Sequence, residues 1–143
     1  MQHSAHFAGI IPPVSTIFTP EGDFDRQGTG ALIDNLIAAG VDGQFFLGSG
    51  GEFSQLNVEE RKNIAAFAIA HVNGRVPVLI GTGGTNARET IALSQHAQQN
   101  GADGIVVINP YYWKVSEANL IHYFQQVADS VTLPVILYNF PAL

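Results

Sequence analysis

The chain has 143 residues, a formal net charge of -6 and no cysteine; 46% of its residues are hydrophobic and 13% are charged. This length suits a single domain, and the apolar fraction is large enough to fill a core, which excludes intrinsic disorder. Six basic residues against twelve acidic ones give too little positive charge to neutralise a phosphate backbone, so we expect no nucleic-acid partner.

The composition also bears on location. The absence of cysteine excludes disulfides, thiolate catalysis and cysteine-ligated metals, and it fits a reducing compartment. No apolar run approaches the ~20 residues that a membrane span needs, and the opening residues lack the basic and long apolar regions of a secretory signal. We therefore expect a cytoplasmic protein with no membrane partner.

Short continuous apolar runs alternate with longer amphipathic stretches along the chain, which is typical of buried parallel strands joined by helices. Four helices are predicted between the strands, with Asn57 and Ser116 as the N-caps of the second and fourth. The five predicted strands cover residues 10–18, 43–47, 76–80, 104–108 and 135–138.

An internal repeat supports an α/β fold. The sequence GVDG at 40–43 recurs as GADG at 101–104, and VPVL at 76–79 recurs as LPVI at 133–136. The two copies of each motif lie about two β-α units apart, and such alternation is expected in a TIM (β/α)₈ barrel, whose interior layers come from alternate strands. We predict that residues 1–143 form the N-terminal portion of one such barrel domain, with about its first five strands and four helices. The alternative is a five-stranded doubly wound sheet, which normally closes with a further helix.

The first glycine-rich turn, GSGGEF at 48–53, follows the second predicted strand. Glycine allows successive backbone N–H groups to point at one spot, and Ser49 adds a hydroxyl group, so the turn can cradle a small anion such as a carboxylate. Its place at the carboxyl end of a parallel strand favours a binding site. The alternative is a tight loop without a ligand.

A second glycine-rich segment, GTGGTN at 81–86, has asparagine where a dinucleotide-binding fingerprint needs glycine. We expect it to allow a close backbone approach, with Thr82, Thr85 and Asn86 as candidates to line a pocket. No two of the five histidines have the spacing of a metal-binding pair, so no metal site is expected.

Aromatic residues mark the last two strand ends. The loop NPYYWK at 109–114 places three aromatic residues together, which favours a pocket wall or a subunit interface over a free loop. The alternative is that they fold back over the core. Tyr138 ends the fifth predicted strand, and its phenol can both donate and accept a proton. The alternative for Tyr138 is a core tyrosine with a satisfied hydroxyl group.

Four motifs, GSGGEF, GTGGTNA, NPYYWK and YNFPAL, resemble in order the dihydrodipicolinate synthase and N-acetylneuraminate lyase superfamily of pyruvate-type aldolases. They look most like the bacterial 2-keto-3-deoxygluconate (or galactonate) aldolases. The resemblance implies a Schiff-base aldolase that reversibly cleaves a 3-deoxy-2-oxo sugar acid to pyruvate and an aldehyde. It also implies a homotetramer that needs neither a metal nor an organic cofactor.

The resemblance also assigns site residues. Ser49, with the amides of Gly50 and Gly51, is expected to hold the substrate carboxylate, although Gly50 stands where the family usually has a second hydroxyl side chain. Tyr138 corresponds to the proton-relaying tyrosine, and Tyr112 to the tyrosine that completes a neighbouring subunit's site.

Two positions depart from what the family implies. Leu143 stands where the dihydrodipicolinate synthases have an arginine that binds the second substrate's carboxylate, which argues against aspartate semialdehyde as acceptor. The Schiff-base lysine of the family lies on the sixth strand, and neither Lys62 nor Lys114 matches its motif. We therefore expect the chain to be inactive alone. The alternatives are dihydrodipicolinate synthase or N-acetylneuraminate lyase activity, or a non-catalytic part of a barrel.

Overall fold

The structure, a computed structural model, describes residues 7–140. It consists of α-helices that alternate with short parallel strands. The helices are α1 (Arg26–Ala38), α2 (Val58–Val72), α3 (Ala87–Gln99) and α4 (Glu117–Asp129), and the strands are β1 (Gln44–Phe46), β2 (Val78–Gly81), β3 (Gly104–Ile108) and β4 (Val135–Tyr138). Two 3₁₀ turns, Ser49–Gly51 and Phe53–Gln55, follow β1.

Side-chain caps fix where the helices begin. Asn57 accepts a hydrogen bond from the Glu60 amide, and the Glu60 side chain accepts one from the Asn57 amide, which completes a capping box at α2. Ser116 caps α4 with a single bond, since its hydroxyl oxygen accepts from the Asn119 amide at 3.3 Å. Both N-caps were predicted from the sequence, and each contributes about 1 kcal/mol by satisfying an otherwise unpaired amide.

The sheet has the order β1-β2-β3-β4, and every pair in it is parallel. The segment before α1 lies beside β1 through a bridge between Pro13 and Phe45, so spatial order follows chain order. In the doubly wound alternative, the strand order reverses at a switch point, so the segment before α1 would lie between β1 and β2. In this structure β1 pairs directly with β2, which excludes that arrangement. The contacts between each helix and the next fit consecutive units of a barrel.

The prediction of a first strand at residues 10–18 is wrong. Only Pro13 pairs with β1, where the Val14 amide donates to the Phe45 carbonyl at 2.7 Å and the Phe45 amide donates to the Pro12 carbonyl at 3.0 Å. Two consecutive prolines lack amide hydrogens, so a regular ladder cannot extend along this segment. The described residues therefore contain four strands, and two of them are offset from the predicted ranges 43–47 and 76–80.

The core lies between the sheet and the helices. Strands β2 and β3 are buried along their whole length, as expected for parallel strands covered on both faces. Strand β4 is more open, and its Leu137 is 58% exposed. Among residues 7–140, no helix combines the length and the apolar character that a membrane crossing requires.

Candidate active site at the strand ends

The carboxyl ends of all four strands line one narrow cleft. Leu47 and Ser49 come from the end of β1, Gly81 from β2, Ile108 from β3 and Tyr138 from β4. Because β1 and β4 are the outer strands of this sheet, their ends share a cleft only if the sheet is strongly curved, as in a barrel wall. This strand-end cleft has a volume of about 10 Å³, which is room for about one water molecule.

A wider cavity of about 330 Å³ shares Ser49, Phe53 and Ile108 with the strand-end cleft. Tyr111 and Phe140 complete much of its wall. The Tyr111 ring meets the Phe53 ring edge to face, with centroids 6.0 Å apart. Cavities of this size hold small organic ligands, and Ser49 lies on the wall that the cleft and the cavity share.

The turn at 48–53 has an unusual backbone. Leu47 before it and Glu52 within it both adopt a left-handed conformation at φ 58°, which is uncommon for residues other than glycine. The Thr16 hydroxyl donates to the Gly51 carbonyl at 2.7 Å and anchors the turn from behind. Ser49 stays exposed, so its hydroxyl is accessible to a ligand.

The amides of this turn are not equivalent. The Gly51 amide donates to the Gly48 carbonyl at 3.0 Å, so its predicted role as a carboxylate donor does not fit this conformation. The amides of Ser49 and Gly50 lie in the first turn of the 3₁₀ helix, where the helix itself supplies no acceptor. A Cβ atom on Gly50 would meet no atom within 4 Å. Packing therefore does not require glycine at this position.

The second glycine-rich segment packs tightly against neighbouring backbone, as predicted. A Cβ atom on Gly81 would lie 2.8 Å from the carbonyl carbon of Leu47, and one on Gly83 would lie 2.8 Å from the Ile108 amide nitrogen. Only glycine fits at such distances, so the segment fills the space between the ends of β1 and β3.

Thr82 and Asn86 of this segment have structural roles instead of the pocket-lining roles that we expected. Thr82 is fully buried, and its hydroxyl accepts a hydrogen bond from Ser94 at 2.9 Å. Asn86 caps α3 by accepting from the Glu89 amide. Thr85 is exposed.

Arg61 of α2 is a residue that sequence reasoning missed. Its side chain is only 3% exposed, and its Nη2 atom donates to the carbonyls of Gly81 at 3.1 Å and Gly83 at 2.9 Å. Burial lowers the pKa of Arg61, while the nearby Glu89 carboxylate raises it, and the guanidinium stays charged. The sequence did contain a signal for the burial of Arg61, because this residue lies on the same face of α2 as the apolar residues that are buried there: Ile64, Ala65, Ala68 and Val72.

The tyrosines differ in where they point. Tyr138 is half-buried in the cleft, and its hydroxyl group makes no hydrogen bond to another residue within 7–140. Tyr112 is 84% exposed with φ 83°, and Trp113 beside it is 76% exposed. The structure thus brings Ser49 and Tyr138 together and leaves Tyr112 on the surface.

Neither lysine reaches the cleft or the cavity. Lys62 bonds to Glu59 at 2.9 Å on the same helix, and Lys114 is exposed in the aromatic loop. In the part of the chain that the structure describes, no cluster of three or more acidic or histidine side chains is placed to hold a metal ion. Leu143 lies outside the described residues.

Comparison with known proteins finds two similar proteins that are both named as aldolases of 2-dehydro-3-deoxy sugar acids. The putative 2-dehydro-3-deoxy-D-gluconate aldolase YagE of Escherichia coli is 82% identical over 143 residues, which is 100% of this chain and 47% of that protein. The probable 2-dehydro-3-deoxy-D-pentonate aldolase YjhH of the same organism is 58% identical over 137 residues, or 96% of this chain and 46% of that protein. The chain thus spans about half the length of these relatives.

A solved structure of one of these relatives has the same fold as this chain. The crystal structure of YagE from E. coli in complex with pyruvate superposes with a TM-score of 0.95 at 83% identity, covering 97% of this chain and 47% of the other. The sequence also matches the Dihydrodipicolinate synthetase family over residues 6–143. Since that match covers nearly the whole sequence, the chain belongs to the dihydrodipicolinate synthetase family.

Proposed function

We propose that this chain forms part of a Schiff-base aldolase that cleaves a 3-deoxy-2-oxo sugar acid to pyruvate and an aldehyde, reversibly. The observation that supports it most is the shared cleft of Ser49 and Tyr138 at the carboxyl ends of the strands, where β/α barrels have their active sites. The names of the two E. coli relatives, both aldolases of 2-dehydro-3-deoxy sugar acids, support the same substrate class.

In this proposal the turn after β1 binds the substrate carboxylate. The Ser49 hydroxyl and the Gly50 amide donate to its oxygens, and the Gly51 amide joins them only if its bond to Gly48 opens. Fixed hydrogen-bond donors stabilise an anion without a metal or an organic cofactor. The cavity beside Ser49, with Tyr111 on its wall, provides room for the remaining carbons of the acid.

The bond-breaking step needs an amine and a proton acceptor. A lysine supplied by a later strand condenses with the 2-oxo carbon and releases water, which forms an imine. As the water leaves, Tyr138 gives its phenol proton to the departing hydroxyl group, and the resulting phenolate accepts the proton of the C4 hydroxyl group while the C3–C4 bond breaks. The aldehyde leaves, and the enamine takes a proton at C3 and is hydrolysed to pyruvate. Neither Lys62 nor Lys114 lines the strand-end cleft or the wider cavity.

A chimera tests this proposal. The 143 residues replace the matching part of YagE, and the rest of YagE follows them. Borohydride reduction with pyruvate and intact-mass measurement should show one reduced pyruvate adduct on the chimera and none on the 143-residue chain. An unmodified chimera refutes the aldolase. An adduct on the short chain would instead identify Lys62 or Lys114 as the nucleophile.

Tyr138→Phe in the same chimera should reduce turnover by about 10²–10⁴-fold, because the ring stays while the proton acceptor is lost. Tyr123→Phe is the matched control, since its buried hydroxyl bonds to Thr90 behind the cleft. That control should lower stability and leave turnover largely intact. Near-normal turnover of Tyr138→Phe contradicts the proposed role.

Substrate choice has its own test. Pyruvate release from 2-keto-3-deoxygluconate, from 2-keto-3-deoxygalactonate and from N-acetylneuraminate can be compared in the chimera, together with condensation of pyruvate with aspartate semialdehyde. We expect the sugar acids to be preferred. Preference for aspartate semialdehyde would support the dihydrodipicolinate synthase alternative.

We also propose that the aromatic loop forms a subunit contact in a homotetramer, with Tyr112 reaching a neighbouring cleft. Exposed adjacent aromatic rings such as Tyr112 and Trp113 are typical of interface centres. Light scattering should show a tetrameric chimera, and the double change Tyr112→Ser and Trp113→Ser should dissociate it. A tetramer that survives this change places the interface elsewhere.

A further inference from the structure

We infer that Arg61 is a positioning residue that holds the carboxylate-binding turn in its binding conformation, an inference that rests on the proposed function. Arg61 does not line the cleft or the cavity. It lies behind them on α2, where its guanidinium contacts both the second glycine-rich segment and an aromatic ring of the turn.

The first contact is to the carbonyls of Gly81 and Gly83, which both accept from Nη2 at 3.1 Å and 2.9 Å. Gly81 in turn packs against the backbone of Leu47, so closely that no Cβ atom fits between them. Leu47 is the left-handed residue from which the turn starts. A displacement of the Gly81 backbone therefore moves the residue that sets the direction of the turn.

The second contact is to the other end of the turn. The Arg61 guanidinium lies over the Phe53 ring at 5.2 Å from its centroid, in a cation–π arrangement. Phe53 also lines both the strand-end cleft and the wider cavity. One buried cation thus contacts residues on both sides of Ser49 and Gly50.

The energetics favour positioning over simple packing. A buried guanidinium has a large desolvation cost, and an apolar side chain of similar volume often stabilises a protein as well or better. Arg61 Nε has no hydrogen-bond partner within the described residues, and its nearest carboxylate, on Glu89, is 3.6 Å away. What the arginine does provide is a planar donor group that ties two carbonyls at fixed positions.

Kinetics of the YagE chimera separate this role from a structural one. Arg61→Met should raise the KM for pyruvate in imine trapping by about tenfold or more while kcat changes little, because a small displacement of binding groups weakens binding strongly. Arg61→Lys should give an intermediate KM, since lysine keeps a charged donor for the carbonyls but loses the planar guanidinium that lies over Phe53. Arg75→Met, which removes an arginine that pairs with Asp34 on the surface, is the control and should keep the KM.

A role limited to stability lowers the melting temperature and the active fraction but leaves the KM of the folded enzyme unchanged, and that result overturns the inference. If Arg61→Met does not fold, Arg61→Lys decides. If the wild-type chimera forms no pyruvate adduct, the proposed aldolase function is refuted. The positioning role of Arg61 is then still tested by a second measurement. Within the turn, the Gly51 amide donates to the Gly48 carbonyl at 3.0 Å and the Glu52 amide to the Ser49 carbonyl at 3.1 Å. Hydrogen exchange at these two amides of the 143-residue chain should be faster in Arg61→Lys and unchanged in Arg75→Met. Unaltered exchange in Arg61→Lys overturns the inference regardless of activity.

Discussion

Two glycines at the strand ends should respond in opposite ways to the same substitution. In Gly81→Ala the new Cβ atom would lie 2.8 Å from the Leu47 carbonyl carbon and 3.3 Å from the Phe46 carbonyl oxygen. Ordinary contact begins near 3.4 Å, and both obstacles are backbone atoms that cannot rotate away. In Gly50→Ala the Cβ atom meets nothing within 4 Å, and the backbone there has no positive φ that would penalise alanine.

Overpacking against rigid atoms costs about 1–3 kcal/mol or more, so Gly81→Ala should reduce the free energy of unfolding by at least that amount. Gly50→Ala should be neutral or stabilise by up to about 1 kcal/mol, because alanine restricts the unfolded chain. Urea denaturation followed by circular dichroism measures both variants under identical conditions. Equal stability of the two variants would refute the close approach of β2 to the end of β1.

Two further substitutions test packing behind the cleft and a surface ion pair. Tyr123→Phe removes a buried hydroxyl that bonds to Thr90 at 3.0 Å and should cost about 1–2 kcal/mol in urea unfolding, since the threonine loses its partner; an unchanged midpoint would contradict that bond. The Asp34 carboxylate accepts from Arg75 at 2.8 Å and from His71 at 3.1 Å, and these bonds hold its pKa below the usual 3.8. A carboxylate whose pKa is lowered by folding stabilises the fold at pH values above its unfolded pKa, and this stabilisation is lost as the pH falls through the lowered pKa of the folded state. The difference in unfolding free energy between wild type and Asp34→Asn should therefore be largest near neutral pH and vanish in acid, and a difference independent of pH would contradict it.

Local sequence signals predicted the elements that depend on local chemistry. The caps Asn57 and Ser116 follow from side-chain hydrogen bonds within three residues, and the buried run at 104–108 gave β3 its bounds. Residues 10–18 were predicted wrongly because their apolar pattern resembles a strand, while two prolines remove the amides on which pairing depends. An apolar sequence pattern indicates that a segment is buried. Whether the segment can pair as a strand depends also on how many backbone amide donors it has.

The site was predictable only in part for a related reason. Ser49 and Tyr138 could be placed at strand ends from spacing alone, because parallel strands bring their carboxyl ends to one edge. Arg61 could not be found in this way, since its partners are backbone carbonyls 20 and 22 residues away that leave no trace in side-chain identity. A charged residue inside a buried helical stripe was the available signal.

The two glycine-rich segments have a similar composition but differ in how tightly they are packed. Gly81 and Gly83 are required by neighbouring backbone, and their carbonyls are bound by Arg61. Gly50 lies in open space. The Thr16 hydroxyl anchors the turn that contains Gly50 by donating to the Gly51 carbonyl. Because the Gly51 amide and carbonyl are both bonded within the protein, the proposed function assigns carboxylate binding to the Ser49 hydroxyl and the Gly50 amide.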